Sequence, residues 1–140
     1  MGAKEMTQMT YIDKKPPIIV RESDHDRLWK LAAPLHERAD DVPDQLLSEL
    51  DRAEIVPDDK IPHGVITMGA RLRYETDNGE KRSVVLVFPN EADIAQGRVS
   101  ILTPIGVALL GLSAGQSIQW RTLNGAERHL TILSVCGPGN

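Results

Sequence analysis

The spacing of apolar residues changes near residue 60, from a helical period before it to strict alternation after it. Before residue 60, leucines recur at three- and four-residue intervals, the spacing that lines one face of an α-helix. The two apolar stripes comprise Leu28, Leu31 and Leu35, then Leu46, Leu47, Leu50 and Ala53. Ser23 predicts the start of the first helix and Pro34 its end, whereas the second helix begins near Pro43 and ends at Pro57. Two short helices joined by a polar connection predict an antiparallel helical hairpin.

From residue 65 to residue 74 the period is two, which is typical of a strand with one buried face, and residues 82–88 are mostly apolar, which indicates a strand that is mostly buried. The predicted strands cover residues 65–74, 82–88, 99–102, 118–121 and 130–135, with hairpin turns at Asn78-Gly79 and Asn124-Gly125. Between the third and fourth of these strands, Thr103 followed by Pro104 predicts the start of a short helix, and Gly111 predicts its end. The order of elements predicts an α+β fold: a short helical hairpin followed by a β-sheet domain with one short helix.

The same patterns divide the chain of 140 residues into three parts. Residues 1–17 show no periodicity and are predicted to be a disordered leader. Residues 18–60 are predicted to contain a short strand at 18–20 and the helical hairpin. Residues 61–140 are predicted to form the sheet domain, and a hydrophobic content of 41% is sufficient for a buried core.

Composition excludes several classes of function. Five aromatic residues are too few for a platform that stacks single-stranded bases, and the one cysteine excludes cysteine-based zinc sites. The four histidines are scattered, and no apolar run is long enough to span a membrane. Residues 23–60 contain eleven acidic and five basic residues, a net charge of −6, which would repel DNA and anionic membranes. A cytoplasmic protein without metal, cofactor, membrane contact or direct sequence-specific nucleic-acid binding is expected.

A group of acidic residues lies at the predicted tip of the hairpin: Glu37, Asp40, Asp41 and Asp44. Carboxylates three residues apart on a protruding element could share a magnesium ion. The alternative is a solvated, charged loop in which Asp41 or Asp44 caps the second helix. Elsewhere the sequence contains neither a Gly-x-Ser-x-Gly motif nor a phosphate-binding loop, and Cys136, near the end of an apolar strand, is interpreted as inert packing. No catalytic residue is predicted.

The segment from Glu91-Ala92-Asp93 to Gly111 resembles the carboxy-terminal domain of Gre-type transcript-cleavage factors. It contains Gly97, then Val99-Ser100, and a Thr103-Pro104 that leads into an Ala-Leu-Leu-Gly helix. The wider resemblance, over residues 18–135, is to the Rnk family of short-hairpin Gre relatives, named for regulation of nucleoside diphosphate kinase. The supporting stretches are residues 50–53, 61–68 and 104–112.

The resemblance implies an FKBP-like carboxy-terminal domain without prolyl-isomerase activity and an amino-terminal antiparallel coiled coil. It also implies docking on RNA polymerase at the rim of its secondary channel. The residues that match the docking contact are Leu102, Thr103 and Pro104. Here Leu102 replaces a polar residue of the family and Thr103 replaces a serine. The acidic motif of the family's much longer hairpin is absent, and Asp41 and Asp44 only imitate its spacing.

The function expected first is therefore that of a non-enzymatic, monomeric regulator that binds polymerase at the channel rim and competes with Gre factors. The first alternative is a transcript-cleavage factor whose acidic tip supplies a magnesium ligand. The second alternative is a regulator of nucleoside diphosphate kinase, acting on the level of the kinase. Hairpin length distinguishes the first two, because a short arm delivers no carboxylate to a distant active centre.

Overall fold

The structure, a computed structural model, describes residues 16–35, 41–121, 124 and 126–137. The predicted leader therefore lies outside the described residues, except for Pro16 and Pro17. The helices are α1 (Glu22–Ala32), α2 (Val42–Arg52) and α3 (Pro104–Leu109). The strands are β1 (Ile19–Arg21), β2 (Glu54–Val56), β3 (Arg71–Thr76), β4 (Lys81–Val87), β5 (Arg98–Ser100), β6 (Ser117–Arg121) and β7 (Glu127–Cys136). The predicted α+β arrangement is confirmed.

Two sheets organise the chain. The larger has five strands in the order β5-β4-β3-β7-β6, in which only the β4–β5 pair is parallel. The smaller is a parallel pair, β1 with β2, whose strands flank the α1–α2 helix pair in the sequence. Tyr74 of β3 is opposite Arg82 of β4 on one side and Ile132 of β7 on the other, so these residues mark the middle of the larger sheet.

A single hydrophobic core connects the helix pair to the sheet. Leu28 of α1 and both Leu46 and Leu50 of α2 are fully buried, and they belong to the same cluster as the inward-facing residues of the sheet. The helix α2 also contacts α3, which connects the hairpin to the rest of the core. Each of these leucines contributes about 1.5–3 kcal/mol through removal of its side chain from water.

The helix α1 ends just before Pro34, as predicted, but its start and the position of Leu35 differ from the prediction. It begins at Glu22, directly after β1, with Arg21 at the N-cap position, so Ser23 is not the cap. The backbone N–H of Ser23 instead donates to the Asp58 carboxylate, at 3.0 Å. At the other end, residues 33–35 form a 3₁₀ turn, and its different period rotates Leu35 away from the core, so that Leu35 is 47% exposed.

The predicted strand at residues 65–74 is wrong in its first half, because regular strand begins only at Arg71. Positive φ angles at Gly64 and Gly69 interrupt the extended chain. Residues 65–68 are all buried, without alternation, because this segment passes beneath the turn that follows α3. There the backbone N–H of Gly111 donates to the carbonyl of Ile66 at 2.9 Å, and Ile66 donates to Leu112 at 2.8 Å.

The prediction that Cys136 is buried packing is also wrong, because Cys136 is exposed. A register shift between β3 and β7 explains this result. Arg73 pairs with Ser134 whereas Tyr74 pairs with Ile132, so Leu133 is the extra residue of a β-bulge. Beyond the bulge, Cys136 is opposite Arg71 on the solvent-exposed face of the sheet.

Candidate functional site

The turn that joins β5 to α3 contains the three residues for which a docking role is predicted. The Thr103 hydroxyl accepts a hydrogen bond from the backbone N–H of Gly106 at 3.0 Å and donates to the carbonyl of Ser100 at 2.7 Å. The Ser100 hydroxyl in turn accepts from the backbone N–H of Leu102 at 3.0 Å. Thr103 is the N-cap and Pro104 the first residue of α3, as predicted. These bonds fix the shape of the turn.

Gly106 brings α3 into direct contact with β5. A Cβ atom at this position would lie 2.1 Å from the carbonyl oxygen of Ser100 and 2.9 Å from the Cα of Ile101. Both are backbone atoms that cannot move aside cheaply, so only glycine permits this approach. Gly106 therefore positions the Thr103-Pro104 corner, although the sequence pattern gave no indication of this role.

An open groove of about 950 Å³ lies beside this turn, between α3 and one end of the larger sheet. Thr103, Pro104 and Ile105 line one side of the groove. Val84 and Val99 contribute apolar surface from the strands. The turn between β4 and β5 contributes Ile94, which is 82% exposed and is the most exposed large apolar side chain of the described chain. Leu102 is not part of this lining; it is partly buried and packs against the core.

The charged residues that line the groove are arginines. Among the described residues that line it, three are arginines, Arg82, Arg98 and Arg128, and none is a carboxylate. The Arg82 guanidinium lies 2.9 Å from the Glu80 carboxylate, and that of Arg128 lies 3.9 Å from Asp77. Both contacts are exposed ion pairs, which contribute little to stability and exchange readily. The guanidinium groups therefore remain able to bind an external anion.

Tyr74 also lines the groove and pairs with Arg82 across β3 and β4, and it is almost completely buried. Burial raises the pKa of the Tyr74 phenol above its ordinary value of 10.0, because a phenolate would be poorly solvated there. The charges of Arg82 and Arg128 lower the pKa of Tyr74, whereas the charge of Glu80 raises it, and burial outweighs these effects. At neutral pH, Tyr74 is thus a neutral hydroxyl group.

The acidic tip is only partly described, because Glu37 and Asp40 lie outside the described residues. Asp41 is the N-cap of α2: its carboxylate accepts a hydrogen bond from the backbone N–H of Asp44 at 2.8 Å. Asp44 is in the first turn of the same helix. The geometry favours the capping interpretation of Asp41, and the described parts of the chain contain no group of three potential metal ligands.

The orientation of the helix pair relative to the groove is fixed near the start of α1. The buried Asp24 carboxylate accepts from the backbone N–H of Met68 at 3.0 Å and from Arg21 at 2.9 Å. The Arg21 guanidinium also donates to the carbonyl of Met68 at 3.3 Å. One turn later, the Arg27 guanidinium lies 4.2 Å from the centre of the Phe88 ring, within range of a cation–π interaction. The base of the hairpin is therefore attached to the sheet domain.

The structure brings Thr103 and Pro104 together with residues that the sequence analysis did not identify. Arg82 belongs to β4 and Arg128 to β7, whereas Ile94 and Arg98 lie before and after Gly97. No local motif therefore contains all four residues. The one signal in the sequence is an isoleucine, Ile94, between the predicted strands at residues 82–88 and 99–102. The described residues of the acidic tip, Asp41 and Asp44, lie at the start of α2 and are not part of this groove.

Two family models match the chain. The model described as the carboxy-terminal part of the transcription elongation factors GreA/GreB matches residues 61–136, and the model of the Rnk amino terminus matches residues 16–56. No helix within the described ranges is long and apolar enough to cross a membrane.

Individual relatives agree with these matches. The regulator of nucleoside diphosphate kinase of Escherichia coli K12 is 34% identical over 122 residues, which cover 86% of this chain and 90% of the relative. The GreA elongation factor of Sinorhizobium medicae is 36% identical over 94 residues, 64% of this chain and 59% of that factor. The solved structure of a GreA/GreB elongation factor from Nitrosomonas europaea superposes with a TM-score of 0.69 and 34% identity, covering 88% of this chain and all of the other. This chain therefore belongs to the GreA/GreB family of transcription elongation factors, with an amino-terminal part of the Rnk type.

Proposed function

We propose that this protein regulates transcription by binding RNA polymerase at the rim of the secondary channel, through the turn formed by Leu102, Thr103 and Pro104. The observation that carries the proposal is the rigid β5–α3 turn at the edge of an open groove. Rigid elements that present an exposed turn are typical binding surfaces. The protein acts in the cytoplasm as a monomer, with an FKBP-like sheet domain and a short coiled coil, and it competes with Gre factors for the rim.

We further propose that binding does not stimulate transcript cleavage. Cleavage requires a carboxylate within coordination distance of a magnesium ion at the reacting phosphate, so an error of a few ångströms abolishes it. The helices α1 and α2 have 11 residues each, which corresponds to about 16 Å at the rise of an α-helix. The Asp41 carboxylate, moreover, caps its own helix. A short arm with a capping aspartate supports binding without chemistry.

Two other functions follow from specific observations. The acidic residues at the tip support a cleavage factor, in which Asp41 and Asp44 would contribute to a magnesium site. The name of the Escherichia coli relative supports regulation of nucleoside diphosphate kinase. A change in the level of the kinase, without contact between the two proteins, agrees with a regulator that acts through polymerase.

A binding assay with purified core RNA polymerase tests the proposal. We expect the labelled parent protein to bind and an authentic Gre factor to displace it. Leu102→Asp should weaken binding, and thermal unfolding measured in parallel corrects for lost packing, since Leu102 is partly buried. Leu133→Asp is the matched control, because Leu133 is a partly exposed leucine of the same domain outside the described groove lining. Equal affinity of the parent and the Leu102 variant would exclude this turn.

A backtracked elongation complex tests the absence of cleavage. At saturating protein and with magnesium, we expect no shortening of the RNA 3′ end. Shortening that disappears in the double variant Asp41→Asn, Asp44→Asn would contradict the proposal and establish the cleavage factor instead.

A further inference from the structure

We propose that residues 9–12 of the leader pair with the open edge of β2 and place an apolar side chain in a second groove beside it. The inference concerns the base of the helical hairpin and does not depend on polymerase binding. It gives a structural role to a segment that precedes the described residues.

The strand β2 has an unpaired edge. It belongs to a two-stranded sheet, so its one strand partner among the described residues is β1. The backbone N–H of Glu54 donates to the carbonyl of Ile18 at 3.0 Å. Because successive residues of a strand direct their backbone groups to opposite edges, the N–H and the carbonyl of Ile55 point away from β1. Such an edge is a template for a further strand.

The second groove, of about 350 Å³, lies beside this edge and is lined by α1, the end of α2 and Ile55. Two of its lining residues, Trp29 and Ile55, are large apolar side chains that are 42% and 46% exposed. The Trp29 ring is stacked on that of His25, with 5.9 Å between the ring centres, which holds the indole beside the groove. An added strand that carries an apolar side chain would therefore satisfy the backbone edge and cover the apolar surface together.

The charges at this groove favour a basic segment. Two carboxylates, Asp26 and Asp51, line it with one lysine, Lys30. Neither carboxylate forms an ion pair with another residue in the described ranges. The leader contains Lys14 and Lys15 directly before Pro16. Opposite charges across an interface favour association and fix its orientation.

The leader enters the described structure next to this groove. The carbonyl of Pro16 accepts a hydrogen bond from the Arg52 guanidinium at 2.9 Å, and Arg52 directly follows the groove residue Asp51. A third strand beside β2 would lie about 10 Å from the line of β1, at two strand spacings. Residues 13–16 span up to about 13 Å when extended, so residues 9–12 can reach this position. The short tether also gives the segment a high effective concentration, which a separate partner lacks.

The composition of residues 9–12 suits an edge strand. Their sequence is Met-Thr-Tyr-Ile, and threonine, tyrosine and isoleucine are enriched in strands. Because side chains alternate between the two faces of a strand, Met9 and Tyr11 share one face, whereas Thr10 and Ile12 share the other. Either face supplies a large apolar side chain to the groove, so the inference holds in both registers. The chain turns back over residues 13–16, and the added strand therefore runs antiparallel to β2.

Amide hydrogen exchange of the full chain, followed by NMR, tests the inference at the backbone N–H of Ile55. This N–H points to the open edge and is protected only when a further strand accepts from it. We expect its exchange to be at least about tenfold slower in the parent than in the double variant Thr10→Pro, Tyr11→Pro. Proline cannot donate to a strand ladder, and two adjacent prolines disrupt the pairing in either register. The matched control, Gly2→Pro with Ala3→Pro, should exchange within about twofold of the parent.

The outcomes separate the leader from other occupants. An Ile55 N–H that exchanges equally fast in the parent and in the variant with prolines at positions 10 and 11 would overturn the inference. Slow exchange in both proteins that depends on protein concentration would also overturn it and would identify a second copy of the chain as the occupant. In the parent, we further expect nuclear Overhauser contacts between the Trp29 ring and residues 9–12, and their absence would contradict the placement in the groove. Thermal unfolding checks that each variant is folded, since the core cluster of the described residues begins at Ile18. Each of these outcomes leaves the proposed function standing.

Discussion

Replacement of Asp24 by alanine tests whether its buried carboxylate attaches the helix pair to the sheet domain. Asp24 is 1% exposed, and one of its oxygens accepts from both Met68 and Arg21. Hydrogen bonds to a charged group contribute about 1.5–3 kcal/mol each, and removal of one member of a buried pair costs about 3–5 kcal/mol. Arg21 keeps 23% of its side-chain surface exposed, so part of its charge stays hydrated.

The other carboxylate oxygen of Asp24 reduces the loss of stability that is expected when the side chain is removed. It is buried and has no hydrogen-bond partner among the residues that the structure describes, so the folded state already bears a desolvation cost there. We therefore expect Asp24→Ala to lower the free energy of unfolding by about 2–4 kcal/mol, within the range seen when buried polar networks are broken. Asp24→Asn should lie in between, because an amide oxygen still accepts from Met68 but the attraction to Arg21 is lost.

Urea denaturation followed by circular dichroism provides the measurement. Asp26→Ala is the matched control, because Asp26 is an exposed aspartate of the same helix and should change the free energy of unfolding by less than about 0.5 kcal/mol. The denaturant slope should stay constant in all variants, since the surface exposed on unfolding does not change. A loss below about 1 kcal/mol for Asp24→Ala would refute the assigned role of this contact.

Two further perturbations address the core and the groove. Leu50→Ala should lower the free energy of unfolding by about 2–5 kcal/mol, because Leu50 is fully buried; Leu35→Ala should change it by less than about 0.5 kcal/mol, because Leu35 is 47% exposed. Equal losses in denaturation experiments would contradict the assignment of the core. Tyr74 has a raised pKa, so its contribution to stability is complete below about pH 10.0 and is lost at higher pH, where only the unfolded chain ionises readily. When the pH is raised from 9 to 11, the melting temperature of Tyr74→Phe should therefore fall less than that of the parent. Identical pH profiles of the two proteins would contradict this prediction.

The sequence predicts those elements whose determinants are local. The cap formed by Thr103, the proline after it and the hairpin turn at Gly79 depend on side chains within a few residues, and all three occur as predicted. The fully buried leucines of α1 and α2 were also identified, because a helical stripe predicts which side chains meet. The docking role of residues 102–104, which depends on a partner, stays a prediction.

The remaining features depend on contacts between distant segments. Leu133 forms a bulge because of its pairing with β3, and this one extra residue places Cys136 on the exposed face. Residues 65–68 are buried throughout because Gly111 and Leu112 pass above them. The arginines of the groove are separated by up to 46 positions in the sequence and meet only when the sheet forms. No short-range pattern contains this information.

The first strand depends on parts of the chain that are synthesised much later. Ile19 donates a backbone hydrogen bond to Gly111 at 3.2 Å, and the Gln116 side chain donates to the carbonyl of Pro17 at 3.3 Å. During synthesis on the ribosome, the edge of β1 that pairs with Gly111 therefore remains unpaired at least until about four fifths of the chain has been made. The two hydrogen-bonding edges of β1 are completed in order, first by β2 and then by the segment after α3. A nascent chain that stalls before residue 111 would leave this edge of the strand unpaired, and unpaired strand edges are prone to aggregation.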